Sequence, residues 1–189
     1  MRKLVVFLHT SLDGMVEGPN GSMDIGYIAY NEELENFANR VTAEADTILW
    51  GKNTYQMMHA YWPTILDKPD ASDHEARHAK WIDSVEKVVC SESLTEVTWN
   101  KARLMKGDII SQLRDLKLGD GRDILVLGSP RLAKFLLSAG LVDQLKLTVS
   151  PVILGAGLNL FEGVRADLEL LESEAMSTGA LGLTYQVLS

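Results

Sequence analysis

Four short runs constrain this chain more than anything else in it: "LVVFL" at residues 4–8, "TILW" at 47–50, "ILVL" at 124–127 and "LKLTV" at 145–149. They have strand length, and most are apolar at consecutive positions rather than at every second one. Successive strand side chains point to opposite faces, so such a run is buried only where both faces of its sheet are covered. The chain is therefore expected to build a central sheet with helices on either side. By the same pattern, strands are predicted at about 2–9, 46–50, 85–90, 97–105, 123–127, 143–153, 166–175 and 181–188.

Helical periodicity fills the gaps between the early strands. Leu34, Phe37, Ala38, Val41 and Ala45 form one stripe, with Asn31 placed to cap it and Glu32 and Glu33 in its first turn. Further helices are predicted at about 53–60, 73–82, 108–117 and 130–139, the last with Pro130 in its first turn and Gly140 past its end. "YWPTILDKPDAS" reads as the longest irregular connection. The 189 residues fit one domain spanning 1–189, with no repeat and no linker.

Composition narrows the partners. A formal charge of −8, from 26 acidic and 18 scattered basic residues, argues against nucleic acid and anionic membranes and for a small molecule. Cys90 is the sole cysteine and lies in a strand run, so it reads as a reduced packing residue. His74 and His78 share a helix face but lack the glutamate placement of a zinc protease, and read as a polar face; no metal is expected. No apolar stretch approaches the roughly 20 residues that span a bilayer, and the expected compartment is the cytoplasm.

Ligand sites in open α/β sheets form outside the carboxyl ends of the strands, which directs attention to two turns. "ILWGKNTYQMM" leaves a strand at Gly51 and opens a helix with Lys52, Asn53 and Thr54. "LVLGSPRLAKFLL" does the same with Gly128 and Ser129. Helix starts present unpaired N–H groups and partial positive charge, so two of them can hold one dinucleotide; each also reads as an ordinary strand-to-helix turn. Neither is a Walker loop or the Rossmann glycine fingerprint. A third unusual segment, "HTSLDGMVEGPNGSMDIGYIAY", follows the first strand with a polar loop rich in glycine.

These residues carry a resemblance. "SLDG", "ADTILWGKNTY" and "VLGSPRLAKFLLSAGLVDQLKLTVSPVILGAGLNLF", with the element order around them, resemble the dihydrofolate reductase superfamily. Within it, they are most similar to the C-terminal reductase domain of the bifunctional riboflavin-biosynthesis deaminase-reductase and its stand-alone relatives. The likeness runs over nearly the whole chain. It implies a three-layer α/β fold: a mostly parallel sheet of about eight strands, helices on both faces and an antiparallel C-terminal strand pair. It also implies an NADPH-dependent reductase, working as a homodimer; the far end of the long apolar strand in "LVDQLKLTVSPVILG" is available to join a partner's sheet or pack on it.

The resemblance assigns residues. Gly51, Lys52, Asn53 and Thr54 stand at the first phosphate-binding turn and Gly128, Ser129, Arg131 and Leu132 at the second, where Ser129 replaces one of paired glycines and Pro130 has no N–H to offer. Ser91 and Ser93 stand where the family binds the adenosine 2'-phosphate, with Glu92 between them. Val16 lies on the loop expected to close over the nicotinamide as a mobile lid, Ser11 to Ile25, anchored by Asp13. Asp13 is a candidate for substrate binding or proton relay, or else a cap of its own turn. His9 could bond the carboxamide or be a structural histidine, and Thr148 matches a strand threonine that touches substrate. The helix carboxylate of the folate reductases has no secure counterpart in Glu33 or Glu35, which disfavours dihydrofolate itself. Reduction of a phosphorylated ribosylaminopyrimidine would need a substrate-phosphate site that the sequence does not display. A nucleotide-binding module without turnover is the competing expectation.

Overall fold

A computed structural model describes residues 1–21 and 23–188. Its ten strands and five helices run β1 (Leu4–Ser11), β2 (Met15–Glu17), α1 (Glu32–Ala43), β3 (Ala45–Gly51), α2 (Lys52–Leu66), α3 (Asp73–Ser84), β4 (Glu86–Cys90), β5 (Ala102–Met105), α4 (Ile109–Leu118), β6 (Asp123–Leu127), α5 (Pro130–Ser138), β7 (Gln144–Ser150), β8 (Leu158–Asn159), β9 (Asp167–Ala175) and β10 (Leu181–Leu188). Eight strands form one sheet in the order β5-β4-β3-β6-β1-β7-β10-β9. The first six are mutually parallel, and β10 and β9 close the sheet antiparallel.

The consecutive apolar runs have the expected cause. Along β1, Leu4, Val6 and Leu8 enter a core layer beneath α4 and α5, where Leu113, Leu136 and Leu137 are buried. Val5 and Phe7 enter a second layer on the other face, with Leu34, Phe37 and Val41 of α1, Tyr55 of α2 and Ile82 of α3. Burying each such side chain is worth about 1.5–3 kcal/mol, so both faces of the central strands contribute.

Five expectations need correction. The helix begun at Lys52 continues to Leu66 through Pro63. Ile65 is buried and the Trp62 ring lies 4.5 Å from His78, so packing of α2 on α3 outweighs the hydrogen bond that proline removes. That packing also makes the His74 and His78 face a half-buried aromatic contact rather than a solvated one. The strand predicted at 97–105 is confined to β5: residues 97–100 instead turn over α2, with the Tyr55 hydroxyl accepting from Thr98 N at 3.1 Å and Trp99 stacked on Trp50 and His59. The loop after β1 is partly sheet, since β2 pairs with β8 in a separate two-stranded ribbon. Ser22, within the expected lid, lies outside the described residues, as does Ser189. Finally, β7 is interior, flanked by β1 and β10, so it cannot join a partner's sheet by its edge; the edge strands are β5 and β9.

Candidate functional site

The parallel strands end on one edge of the sheet, and there β3 and β6 feed α2 and α5. The two helix starts face one cleft of about 260 Å³, lined by Gly51, Lys52, Asn53, Thr54, Ser129, Arg131 and Leu132, with Glu17 and Leu158 from the β2–β8 ribbon opposite. Seven of the residues that the sequence assigns to the cofactor are thus brought together. Asn31, Ser72 and Asp108 cap α1, α3 and α4 with their side chains, whereas Gly51 and Ser129 make no side-chain cap to α2 or α5. Backbone donors at both starts remain directed at the cleft, and Lys52 and Arg131 add formal charge.

Ser129 does something the sequence did not announce. Its buried hydroxyl accepts from Gly51 N at 3.0 Å and lies 3.1 Å from Thr54 Oγ1, so it braces one turn against the other. Gly128 takes φ +61°, a left-handed value open to glycine at little cost, and its N–H donates to Phe7 O at 3.3 Å, tying the second turn to β1.

At the end of β4 the two serines part company. Ser91 is buried, and its hydroxyl accepts from Leu94 N at 3.1 Å, shaping its own turn. Ser93 stands beside Lys52, with its Oγ 3.1 Å from Nζ. Glu92, placed awkwardly for an anion in the sequence, has its carboxylate engaged by Gly107 N at 2.7 Å. Val16 is also not where the resemblance put it: its side chain is buried in the α4–α5 core layer, and the adjoining Glu17 is the residue of β2 that reaches the cleft.

Two residues beyond Phe7, His9 pairs across the sheet with Thr148. His9 Nδ1 and Thr148 Oγ1 are 2.5 Å apart, and burial holds the imidazole down to about 4, so the ring is neutral at pH 7. The Tyr30 ring, 54% exposed, lies 6.3 Å from the His9 ring. The Tyr27 hydroxyl shares its proton between Met15 O at 2.9 Å and His9 O at 3.1 Å; burial, and then the charges of Glu17 and Asp24, push it up to about 12. Tyr27 therefore pins the loop to the end of β1.

Asp13 is a clasp. Its carboxylate accepts from Ser11 Oγ at 2.6 Å, Gly155 N at 2.7 Å and Leu154 N at 3.1 Å. Those hydrogen bonds, Ser11's first, bring it down to about 2. It joins the turn after β1 to the segment after β7, which is the turn-holding alternative seen in the sequence, with a longer reach. Cys90 is buried against Met105 and its thiol is pushed up to about 12 by burial, as a packing residue should be. Among the described residues no group of three or more His, Cys, Asp or Glu is arranged to hold a metal, and no helix is long and apolar enough to cross a membrane.

Comparison with known proteins bears on the fold and the family. The uncharacterized protein YyaP of Bacillus subtilis is 30% identical over 186 residues, 97% of this chain and 94% of that one. A Shewanella sp. PV-4 protein ascribed to riboflavin biosynthesis superposes with a TM-score of 0.75 at 22% identity, over 99% of each chain. Dihydrofolate reductase from Enterococcus faecalis, in complex with NADP(H), superposes with a TM-score of 0.61 at 12% identity, over 99% of this chain and 97% of that one. These superpositions establish the fold, and a match of residues 2–181 to the RibD C-terminal domain makes this chain a member of that family.

Proposed function

We propose that this protein is an NADPH-dependent reductase that delivers hydride to a small heterocyclic or carbonyl compound, pteridine- or pyrimidine-like. One observation carries the reading: two helix starts without side-chain caps, flanked by Lys52 and Arg131, share a cleft at the strand ends next to a polar pair, His9 and Thr148. Family membership and the fold shared with an NADP(H)-bound dihydrofolate reductase support it. When bound, the cofactor supplies the hydride.

The chain supplies placement. Backbone N–H groups of Asn53, Thr54, Arg131 and Leu132 would hold the pyrophosphate, and Lys52 with Ser93 would hold the 2'-phosphate that separates NADPH from NADH. His9, held in place by the fully buried Thr148, would orient the ring that receives the hydride. Asp13, ionised down to about 2, holds the loop and carries no proton at pH 7; His9, neutral above about 4, has none to spare as an acid. The proton that completes the reduction therefore enters from water.

The working state we infer is a cytoplasmic homodimer. The β9 edge, with Leu168, Leu170 and Leu171 at 41–52% exposure, supports a self-association that the interior β7 cannot. Light scattering that returns the mass of one chain at micromolar concentration would overturn the dimer. For the activity, calorimetry with NADPH followed by absorbance assays over a panel of carbonyl, pteridine and pyrimidine compounds is the test. Absence of NADPH binding overturns the proposal, and binding without turnover across the panel identifies a nucleotide-binding module instead.

A further inference from the structure

We propose that the substrate half of this site takes an uncharged or cationic ring compound and discriminates against the phosphate ester of the same compound; this rests on the reductase reading above. The walls around His9 and Thr148 come from three segments, 4–39, 147–164 and 175–188. Together these contain seven acidic residues and not one Lys or Arg, one of the seven, Glu17, reaching the cofactor cleft instead. All 18 basic residues lie elsewhere in the chain.

Elements packed against those walls do not make up the deficit. Arg40 is paired with Glu174, Lys146 with Glu44, and Lys134 with Glu162 of the walls themselves, at 3.5 Å. Lys87 is enclosed by the carbonyls of Asp83, Val85 and Asn100 at 2.9–3.2 Å, and Lys101 donates to Ser84 O at 2.7 Å. Arg77 faces a different cavity, lined with Asn39, Thr42 and Trp81 at the far end of α1. Lys68 lies beside Tyr61 and Glu75 on the α2–α3 connection. By contrast, the neighbouring cofactor cleft carries Lys52 and Arg131 beside two helix starts. Charge sorts the two halves: Lys52 and Arg131 stand at the cleft, whereas the charged side chain recorded on the Tyr30 side of His9 is the carboxylate of Glu35.

What the substrate half does offer suits a flat polar ring. With Nδ1 taken by Thr148, the imidazole has one remaining polar atom, Nε2, which forms a hydrogen bond without contributing a full charge. Tyr30 presents an exposed aromatic face beside it, able to stack on a ring or a delocalised cation. Across the α1 N-terminus, Glu35 stands 3.6 Å from His74, whose ring is 6.5 Å from Tyr30. A dianionic phosphate brought among these groups would give up hydration and meet carboxylates instead of cations.

The test is calorimetry on protein saturated with NADP⁺, titrating two matched pairs: a ribosylaminopyrimidine with its 5'-phosphate ester, and a pterin alcohol with its phosphate ester. For at least one pair the free alcohol should bind about 10-fold or more tightly than the ester, with the gap narrowing as salt rises. Glu35→Lys should shrink that gap by strengthening the ester selectively. An ester that binds as tightly as its alcohol, or no binding by either ring, overturns the inference. NADPH titrated alone separates the two claims: failure there sinks the reductase reading, whereas tight NADPH binding with ester preference sinks only this one.

Discussion

Ser129→Ala isolates the brace between the two turns. The hydroxyl accepts from Gly51 N at 3.0 Å and meets Thr54 Oγ1 at 3.1 Å, but Thr54 keeps a second acceptor, Gly128 O, at 3.3 Å. The substitution therefore strands one donor, Gly51 N–H, opposite a methyl group. A stranded buried donor costs about 1–3 kcal/mol, and proximity to the cleft, where water can enter, places this one at roughly 1–2 kcal/mol. Urea denaturation followed through the fluorescence of the four tryptophans, Trp50 among them fully buried, should show that loss as a lower midpoint with an unchanged slope. If the turns must be held together to grip one ligand, part of the same free energy reappears in binding, and NADPH affinity should fall by up to about 5- to 30-fold. Unchanged midpoint and affinity would refute the brace. Weakened binding at unchanged stability would refute it differently, by placing Ser129 on the cofactor itself.

Other outcomes follow from the same coordinates. Gly128→Ala has room for its Cβ, 3.5 Å from Met58 Cε, but must hold φ +61°, so it should lose about 1–2 kcal/mol in the same denaturation assay. Lys52→Ala should weaken NADPH binding at low salt and much less at high salt in parallel calorimetric titrations; wild-type affinity at low salt would remove that side chain from the site. His9 and His78 are each lowered from 6.5 to about 4, chiefly by burial, so the unfolded chain takes up their protons first. Stability should be fully present above pH 6.5 and decline as pH falls through 4, and His78→Phe should flatten that decline in denaturation curves across the window. Asp13→Asn loses an acceptor for Leu154 N or Gly155 N, so Michaelis constants should rise while the pH profile of kcat keeps its shape; a fall in kcat alone would return the carboxylate to the chemistry.

The sheet was legible because its signal is local. Apolar residues at consecutive positions of β1 and β6 report burial on both faces whatever their order, and the turns at Gly51 and Gly128 follow from the helix patterns behind them. What escaped depends on contacts distant in sequence. β2 has three residues and exists through β8, some 140 positions later, so no window around it could show the pairing. Pro63 is a breaker in every local scale, yet Ile65 and Trp62 give α2 a partner in α3 that outweighs it. The polar hydroxyl of Ser129 looked like a lapse from paired glycines until the opposite turn was placed against it.

That last case changes how the site itself is understood. A second glycine would leave the backbone of the α5 turn free to approach a phosphate, and would also leave the two turns independent. Serine gives up some of that approach and, with Pro130, one backbone donor as well. In return the strand ends of β3 and β6 are fastened at the point where a ligand would otherwise have to draw them together, which lowers the ordering cost of binding. The same logic runs through the substrate half, where Tyr27 ties β1 to β2 and Asp13 ties the loop to residues 154 and 155. Polar side chains near this site are spent largely on holding backbone in place. The groups left free to meet ligands are few: the helix starts, Lys52 and Arg131 on one side, and one imidazole nitrogen beside an exposed tyrosine on the other.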